Sequence, residues 1–312
     1  MKKTIIYQTG SAYREPFVIP GFHFGSENNK TLCIVGSLRG NEIQQLYICS
    51  RLVKKLKEFE EAGLFAKNVG VLVIPCANNS SINVGKRFWA MDNSDINRMF
   101  PGYSEGETTQ RIADGIFKKI QDYKYGVQMS SFYIPGDFTS HVRMMETSYE
   151  DMNLAQLFGL PFVVLRKPVP YDTTTLNFNW QVWDTKAFSV YSKATDTIDV
   201  KGATIVESAV IRFMSRMKML RCHVYGGYES TVIFEDELLT VRAPSAGIYL
   251  PCVKPFDEVE KGQLLGTIYD PLTSEVKAEV TAPDLGIVFF EKRDPLVMEH
   301  DSLFKIVKGL RK

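Results

Sequence analysis

The stretch that most restricts the fold is residues 31–42, TLCIVGSLRGNE, because it joins a buried apolar run to a helical pattern through a glycine-bounded turn. Leu32–Val35 is four apolar residues without interruption, as in a strand covered on both faces. From Ile43 the apolar positions Leu46, Ile48, Leu52, Val53, Leu56 and Phe59 recur at helical spacing, lysines and glutamates fill the other face, and Gly63 closes the pattern. Gly70–Ile74 is a second continuous apolar run. Two such strands around a crossover helix make a parallel βαβ unit. Ligands in such sheets bind beyond the carboxyl ends of the strands, so Arg39, Asn41 and Glu42 stand where a site is expected.

The alternation continues downstream. Short strand-like pieces at residues 4–7 and 17–19, punctuated by Pro16, Pro20 and Gly21, predict an antiparallel edge leading into Leu32–Val35. Residues 76–102 are polar and rich in Asn, Asp and Ser. Connections of that length inside a domain are usually functional or disordered, and Phe88, Trp89 and Phe100 speak for order. Then come a helical pattern over 107–120, a strand over 125–132, a loop through Pro135 and Gly136 to His141, and a helix over 149–158 stopped by Gly159. A strand over 161–165, a strand-like piece over 186–192 and a helix-like piece over 204–217 complete one doubly wound α/β domain, residues 1–225.

A chain of 312 residues has room for a second core. From residue 226 the pattern changes to short strands with Gly and Pro turns, and it repeats internally. Val241-Arg-Ala-Pro-Ser-Ala-Gly247-Ile returns as Val280-Thr-Ala-Pro-Asp-Leu-Gly286-Ile, and Val259-Glu-Lys-Gly-Gln-Leu-Leu265 returns as Val297-Met-Glu-His-Asp-Ser-Leu303. Two copies of paired short strands predict a small β-sandwich or barrel with internal pseudo-symmetry over residues 226–312. The repeated Ala-Pro-x-x-Gly-Ile resembles biotinyl and lipoyl carrier domains, in which a lysine at the hairpin tip is modified. Lys277 lies inside a strand instead of at the turn near Asp270-Pro271, so it reads as a solvated strand lysine.

With 37 basic against 36 acidic residues the net charge is +1, which gives no electrostatic reason to expect nucleic acid or an anionic membrane as partner. Cys33, Cys49, Cys76, Cys222 and Cys252 are odd in number, scattered and without CxxC spacing, as for reduced buried thiols. The N-terminal apolar run is too short for a secretory signal and nothing approaches a membrane span, so a cytoplasmic location is expected. The P-loop and the GxGxxG fingerprint are absent, which removes ATP and dinucleotide chemistry, and without a Gly-x-Ser-x-Gly elbow or a histidine placed as base there is little support for a serine nucleophile at Ser37, Ser130 or Ser131.

The motifs GSLRGNE at 36–42, RFWAMDNSDINRMFPG at 87–102 and LAQLFGLP at 154–161, together with the C-terminal repeat, resemble the succinylglutamate desuccinylase and aspartoacylase family, relatives of the zinc carboxypeptidases. The resemblance implies a zinc-carboxypeptidase-like mixed sheet and hydrolysis of an N-acyl amino acid amide by a zinc-activated water, and it is consistent with a homo-oligomer. Such zinc sites need three protein ligands and an open position. The family's first two ligands lie in Gly-x-x-His-Gly-x-Glu; Glu42 keeps the glutamate, and Arg39 replaces the histidine. A guanidinium has no lone pair to give a metal. The third ligand follows an Asp-Leu at a strand end, where this chain has Gln128-Met129-Ser130, and the general base matches Tyr191. Of the four histidines only His141, on the loop after the strand at 125–132, is placed to substitute as a ligand, and a hydrogen-bonded loop histidine is the plainer account of it.

The family's substrate-binding half is retained. By resemblance Arg87 polarises the scissile carbonyl, while Asn97 and Arg98 hold the substrate carboxylate; Arg39 adds a positive charge with Glu42 as its ion-pair partner. Asp92 and Asp95 serve equally as pins of a long loop. Two functions follow. In the first, a pseudoenzyme with a degenerate metal site binds a small carboxylate ligand without zinc. In the second, a metal-dependent deacylase uses a non-standard site built on Glu42 and His141.

Overall fold

The computed structural model describes residues 1–13, 15–132 and 134–310. In chain order the strands and helices of its first part are β1 (Lys2–Thr9), β2 (Phe17–Gly25), β3 (Leu32–Val35), α1 (Ile43–Glu61), β4 (Gly70–Ile74), α2 (Asn79–Ile82), α3 (Thr108–Ile120) and β5 (Tyr125–Ser130). There follow β6 (Gly136–Phe138), β7 (His141–Met145), α4 (Met152–Gln156), β8 (Phe162–Arg166), α5 (Leu176–Val182), β9 (Lys186–Tyr191), α6 (Val200–Arg216) and β10 (Thr231–Phe234). The chain divides into two compact units, Met1–Ser131 with Ser140–Val232, and Phe132–Thr139 with Ile233–Lys312.

Among the described residues the first unit is built on a nine-stranded sheet ordered β1-β2-β4-β3-β5-β9-β7-β8-β10. Its centre is parallel, with β3 between β4 and β5 and β9 beside β5, while β1–β2, β2–β4 and β9–β7 are antiparallel. This is a mixed, doubly wound sheet. Alternation along the strands sorts the core into two layers. Leu32, Ile34, Val127, Met129, Phe188 and Val190 pack with α1 and α6. Cys33, Val35, Leu72, Ile74 and Ala187 pack with α3 and α5. The apolar runs read from the sequence are therefore strands buried on both sides.

Several segments differ from the sequence reading. β2 runs on through Pro20 and Gly21, because it pairs with β1 on one side and contributes only its last residues to β4. His141 is the first residue of a buried strand, not a loop residue. Its strand was hidden because His141 and Arg143 occupy the α3/α5 side of the sheet, where an apolar side chain is the usual sign of a strand. The same holds for α5, in which Asn177, Asn179 and Gln181 are buried. Phe132, read as the end of the strand over 125–132, lies beyond β5 and in the second unit, and so do residues 134–139, read as a loop of the α/β domain, which carry β6.

The second unit adds β11 (Leu239–Arg242), β12 (Gly247–Pro251), β13 (Glu258–Val259), β14 (Leu264–Tyr269), β15 (Val276–Thr281), β16 (Gly286–Lys292), β17 (Leu296–Val297) and β18 (Ser302–Lys308). The sequence repeat maps β11–β14 onto β15–β18. The halves exchange partners: β12 pairs β14 of its own half and β17 of the other, while β16 pairs β18 of its own half and β13 of the other. Ala243 and Ala282, Val259 and Val297, and Leu265 and Leu303 are equivalent pairs, all buried. Lys277 is exposed on β15. A Cβ at Gly247 would collide with the Tyr269 carbonyl oxygen, and one at Gly286 with the equivalent Val307 carbonyl. Gly247→Ala and Gly286→Ala are each expected to cost this unit about 1–3 kcal/mol by overpacking. Denaturant unfolding followed in the second unit should give the two variants matching midpoints, both below the parent.

Candidate functional site

The turn after β3 is tied by its own side chains. The Ser37 hydroxyl donates to the Glu42 backbone carbonyl at 2.6 Å, the Arg39 amide donates to Glu42 Oε2 at 3.1 Å, and the Gly40 amide donates to the Arg87 carbonyl at 2.9 Å. These bonds hold Arg39 and Glu42 together at the carboxyl end of β3, where the strand pattern placed a site.

Arg39 is 7% exposed and Glu42 1%. The guanidinium donates through Nε and Nη2 to Asp95 Oδ2 at 3.0 and 2.9 Å and through Nη1 to Glu42 Oε1 at 3.4 Å. Glu42 Oε1 also accepts from the Ser131 hydroxyl at 2.5 Å. Burial alone would lower the Arg39 pKa, but Asp95 and Glu42 more than offset it and hold the guanidinium above its ordinary value. The nearby Arg87 is shifted down, first by burial and then by the Arg39 charge. Arg39 is therefore committed to two carboxylates.

Asp95 caps a 3-10 turn, Ile96–Arg98, its Oδ1 accepting from the Asn97 amide at 3.0 Å. That turn carries Asn97 and Arg98, the residues expected from the sequence to hold a carboxylate. Arg98 Nε lies 3.6 Å from Asp95 Oδ2, its side chain is 42% exposed, and its guanidinium sits 4.9 Å from the centre of the Tyr171 ring. Among the described residues Nη1 and Nη2 of Arg98 have no hydrogen-bond partner. Tyr171 is held in turn, its hydroxyl accepting from Arg166 Nη2 at 2.9 Å while Arg166 pairs with Asp172 at 3.1 Å. Asn179 Nδ2 donates to the carbonyls of Phe100, Thr173 and Thr175, clasping the two turns together.

On the α3/α5 side of the sheet the strand ends present two polar cross-strand rows. Gln128, Ser189 and Arg143 are register partners, and so are Ser130, Tyr191 and His141. The Tyr191 hydroxyl accepts from Arg143 Nη1 at 3.1 Å, and its ring stacks on that of His141 at 4.7 Å. Ser130, Tyr191 and His141, named separately from the sequence, thus form one row. The residues that reasoning from sequence missed are Arg143 and Tyr171, which belong to no motif; Gln128 stands in the triplet matched to the third ligand, and Ser131, which follows that triplet, touches Glu42.

Zinc does not fit this donor set. Both oxygens of Glu42 already accept hydrogen bonds, and the Arg39 guanidinium is on Oε1, where a cation would have to sit. Among the described residues no three His, Cys, Asp or Glu side chains converge on a common point.

Residues 28–175 match the family profile of the succinylglutamate desuccinylase/aspartoacylase catalytic domain. Solved structures agree across the chain. A succinylglutamate desuccinylase/aspartoacylase from Rhodobacter sphaeroides superposes with a TM-score of 0.77 at 19% identity, covering 97% of this chain and 95% of that one. Within the α/β domain, residues 28–175 are thus similar to the succinylglutamate desuccinylase/aspartoacylase catalytic domain. An aspartoacylase family protein from Mesorhizobium loti gives a TM-score of 0.74 at 21% identity over 100% of this chain and 95% of that one. The product-bound ectoine utilization protein EutE (DoeB) from Ruegeria pomeroyi gives 0.76 at 16% identity over 94% and 89%. These likenesses establish the shared fold. A curated relative, the N-alpha-acetyl-L-2,4-diaminobutyric acid deacetylase of Halomonas elongata, is 29% identical over 84 residues, which span 27% of this chain and 23% of that protein. The profile match takes in Arg39, Glu42, Arg87, Asn97, Arg98, Ser130 and His141, and stops before Tyr191.

Proposed function

We propose that this family member binds a small carboxylate, of the N-acyl amino acid kind, without zinc-dependent hydrolysis. The observation that carries this is the contrast between two arginines: Arg39 is spent on Asp95 and Glu42, whereas Arg98 offers a free, half-exposed Nη1–Nη2 edge. A guanidinium edge donates two parallel hydrogen bonds to a carboxylate. Arg87 and Asn97 stand in the same turn network, so the site has an excess of positive charge over Glu42 and Asp95. The activities for which the relatives are named, desuccinylation of succinylglutamate and deacetylation of N-acetyldiaminobutyrate, support this ligand class. Free cysteines suit a cytoplasmic setting, and no helix among the described residues is long and apolar enough to cross a membrane.

The test is calorimetric titration with N-acetyl-L-glutamate, metal analysis of the same sample and an assay for released acetate. Binding without stoichiometric zinc or acetate release is expected, with affinity reduced about 100-fold in Arg98→Ala, as for the loss of a bidentate charged pair. Unchanged affinity in Arg98→Ala would remove the carboxylate clamp. Zinc at one equivalent with acetate release would replace binding by metal-dependent hydrolysis.

A further inference from the structure

A primary amide offers a site either a donor or an acceptor, depending on which way it is turned. Asn97 is 6% exposed, and its orientation is set from outside its own turn. Gln128, buried on β5, donates from Nε2 to Asn97 Oδ1 at 3.1 Å, and the Leu176 amide at the start of α5 approaches the same oxygen at 3.5 Å. The Asn97 backbone amide is occupied by Asp95. What remains is Nδ2, which has no partner among the described residues.

We propose that Gln128 is a positioning residue that makes Asn97 a hydrogen-bond donor, so that Asn97 and Arg98 together form a donor-only site that selects an ionised carboxylate over an amide or an amine. The proposal rests on the carboxylate reading of Arg98. An ionised carboxylate only accepts, and Arg98 only donates. If Asn97 were reversed, its oxygen would face the ligand oxygens, and the site would hold donor and acceptor side by side as an amide ligand requires. Gln128 is suited to prevent this. Turning both amides together would keep their mutual bond, but it would set Asn97 Nδ2 against the Leu176 backbone amide, which can only donate, so that amide and Gln128 Nε2 jointly select the arrangement in which Asn97 Oδ1 faces them.

Gln128→Glu tests the inference by inverting the polarity. The new carboxylate can only accept, so Asn97 turns its Nδ2 toward residue 128 and shows its oxygen to the ligand. Gln128→Met keeps the volume and imposes no direction. Affinity for N-acetyl-L-glutamate should fall about 30-fold or more in Gln128→Glu and only about threefold in Gln128→Met, the difference expected when a charge-assisted bond becomes a repulsion instead of merely losing its support. Melting temperatures recorded alongside separate this from loss of fold. Equal losses in the two variants would overturn the proposal.

A ligand-free measurement decides the orientation independently. In protein labelled with nitrogen-15 at asparagine and glutamine, the Gln128 Nε2 protons should exchange slowly and the Asn97 Nδ2 protons fast. Slow exchange at Asn97 Nδ2 in the ligand-free parent would overturn the proposal even if N-acetyl-L-glutamate binds. Fast exchange there, with no binding of the probe, would leave the amide orientation standing and bring down the carboxylate reading instead. Should Gln128→Glu fail to fold, Gln128→Met carries the test: its Asn97 signal should lose the slow-exchanging Gln128 partner and its affinity should fall about threefold, and an unchanged affinity would count against Gln128.

Discussion

Arg39→Ala is expected to destabilise the α/β unit by about 3–5 kcal/mol, the usual cost of stranding a buried charge. Two carboxylates lose their counter-ion at once. Glu42 keeps the Ser131 hydroxyl and the residue 39 amide, Asp95 Oδ2 keeps the distant Arg98 Nε, and Arg87 is a further cation whose charge reaches both. In melting temperature this is roughly 6–20 °C, taking about 2–4 °C per kcal/mol for a domain of this size. The pH dependence has a definite sign. A buried carboxylate without its cation takes up a proton more readily folded than unfolded, so its folded pKa is the higher one and the variant gains stability, relative to the parent, as pH falls. Melting curves across acid and neutral pH should show the gap between parent and variant closing toward low pH. A gap that is small at neutral pH, or constant, would mean that Arg39 does not neutralise Glu42 and Asp95.

The same arginine shows what the sequence could disclose and what it could not. Leu32–Val35, Gly70–Ile74 and the helix between them were legible because the strands are apolar and buried and the helix buries Ile48, Leu52 and Leu56 at helical spacing, although Gln44 and Gln45 of its first turn are buried too. The pseudo-symmetric β unit was legible because buried Ala243, Val259 and Leu265 of one half recur as buried Ala282, Val297 and Leu303 in the other. β7 and α5 were not, since a periodicity search treats polar residues as outward, whereas His141, Arg143, Asn177, Asn179 and Gln181 are buried. Asn179 illustrates how the chain tolerates this, with three backbone carbonyls receiving its amide. In the site, that Arg39 offers a metal no lone pair could be read from residue type alone. That Asp95, far away in sequence, would take two of its bonds, and Ser131 would occupy Glu42, required the fold. Local pattern names the residues of a buried polar network and leaves their pairing open.

Adding histidines back should reveal how nearly the scaffold remains a metal site. The resemblance matches the family's ligand positions to Arg39 and Ser130, with Glu42 as the third. Arg39→His with Ser130→His removes the cation and supplies two imidazoles, but Ser131 still donates to Glu42 Oε1 at 2.5 Å and competes for the lone pair a metal needs. The triple variant Arg39→His/Ser130→His/Ser131→Ala is therefore expected to bind zinc more tightly than the double variant, and the parent not measurably. Because an imidazole ligand must be neutral, zinc affinity in both should weaken on acidification through the histidine range, about pH 6.5. Metal analysis after gel filtration, with the zinc-induced rise in melting temperature, checks the order. No zinc retained by either variant would mean that the strand ends at Ser130 and the turn at Arg39 do not converge as the family's ligands do. Equal affinities would mean that the Ser131 hydroxyl is not a competitor for Glu42.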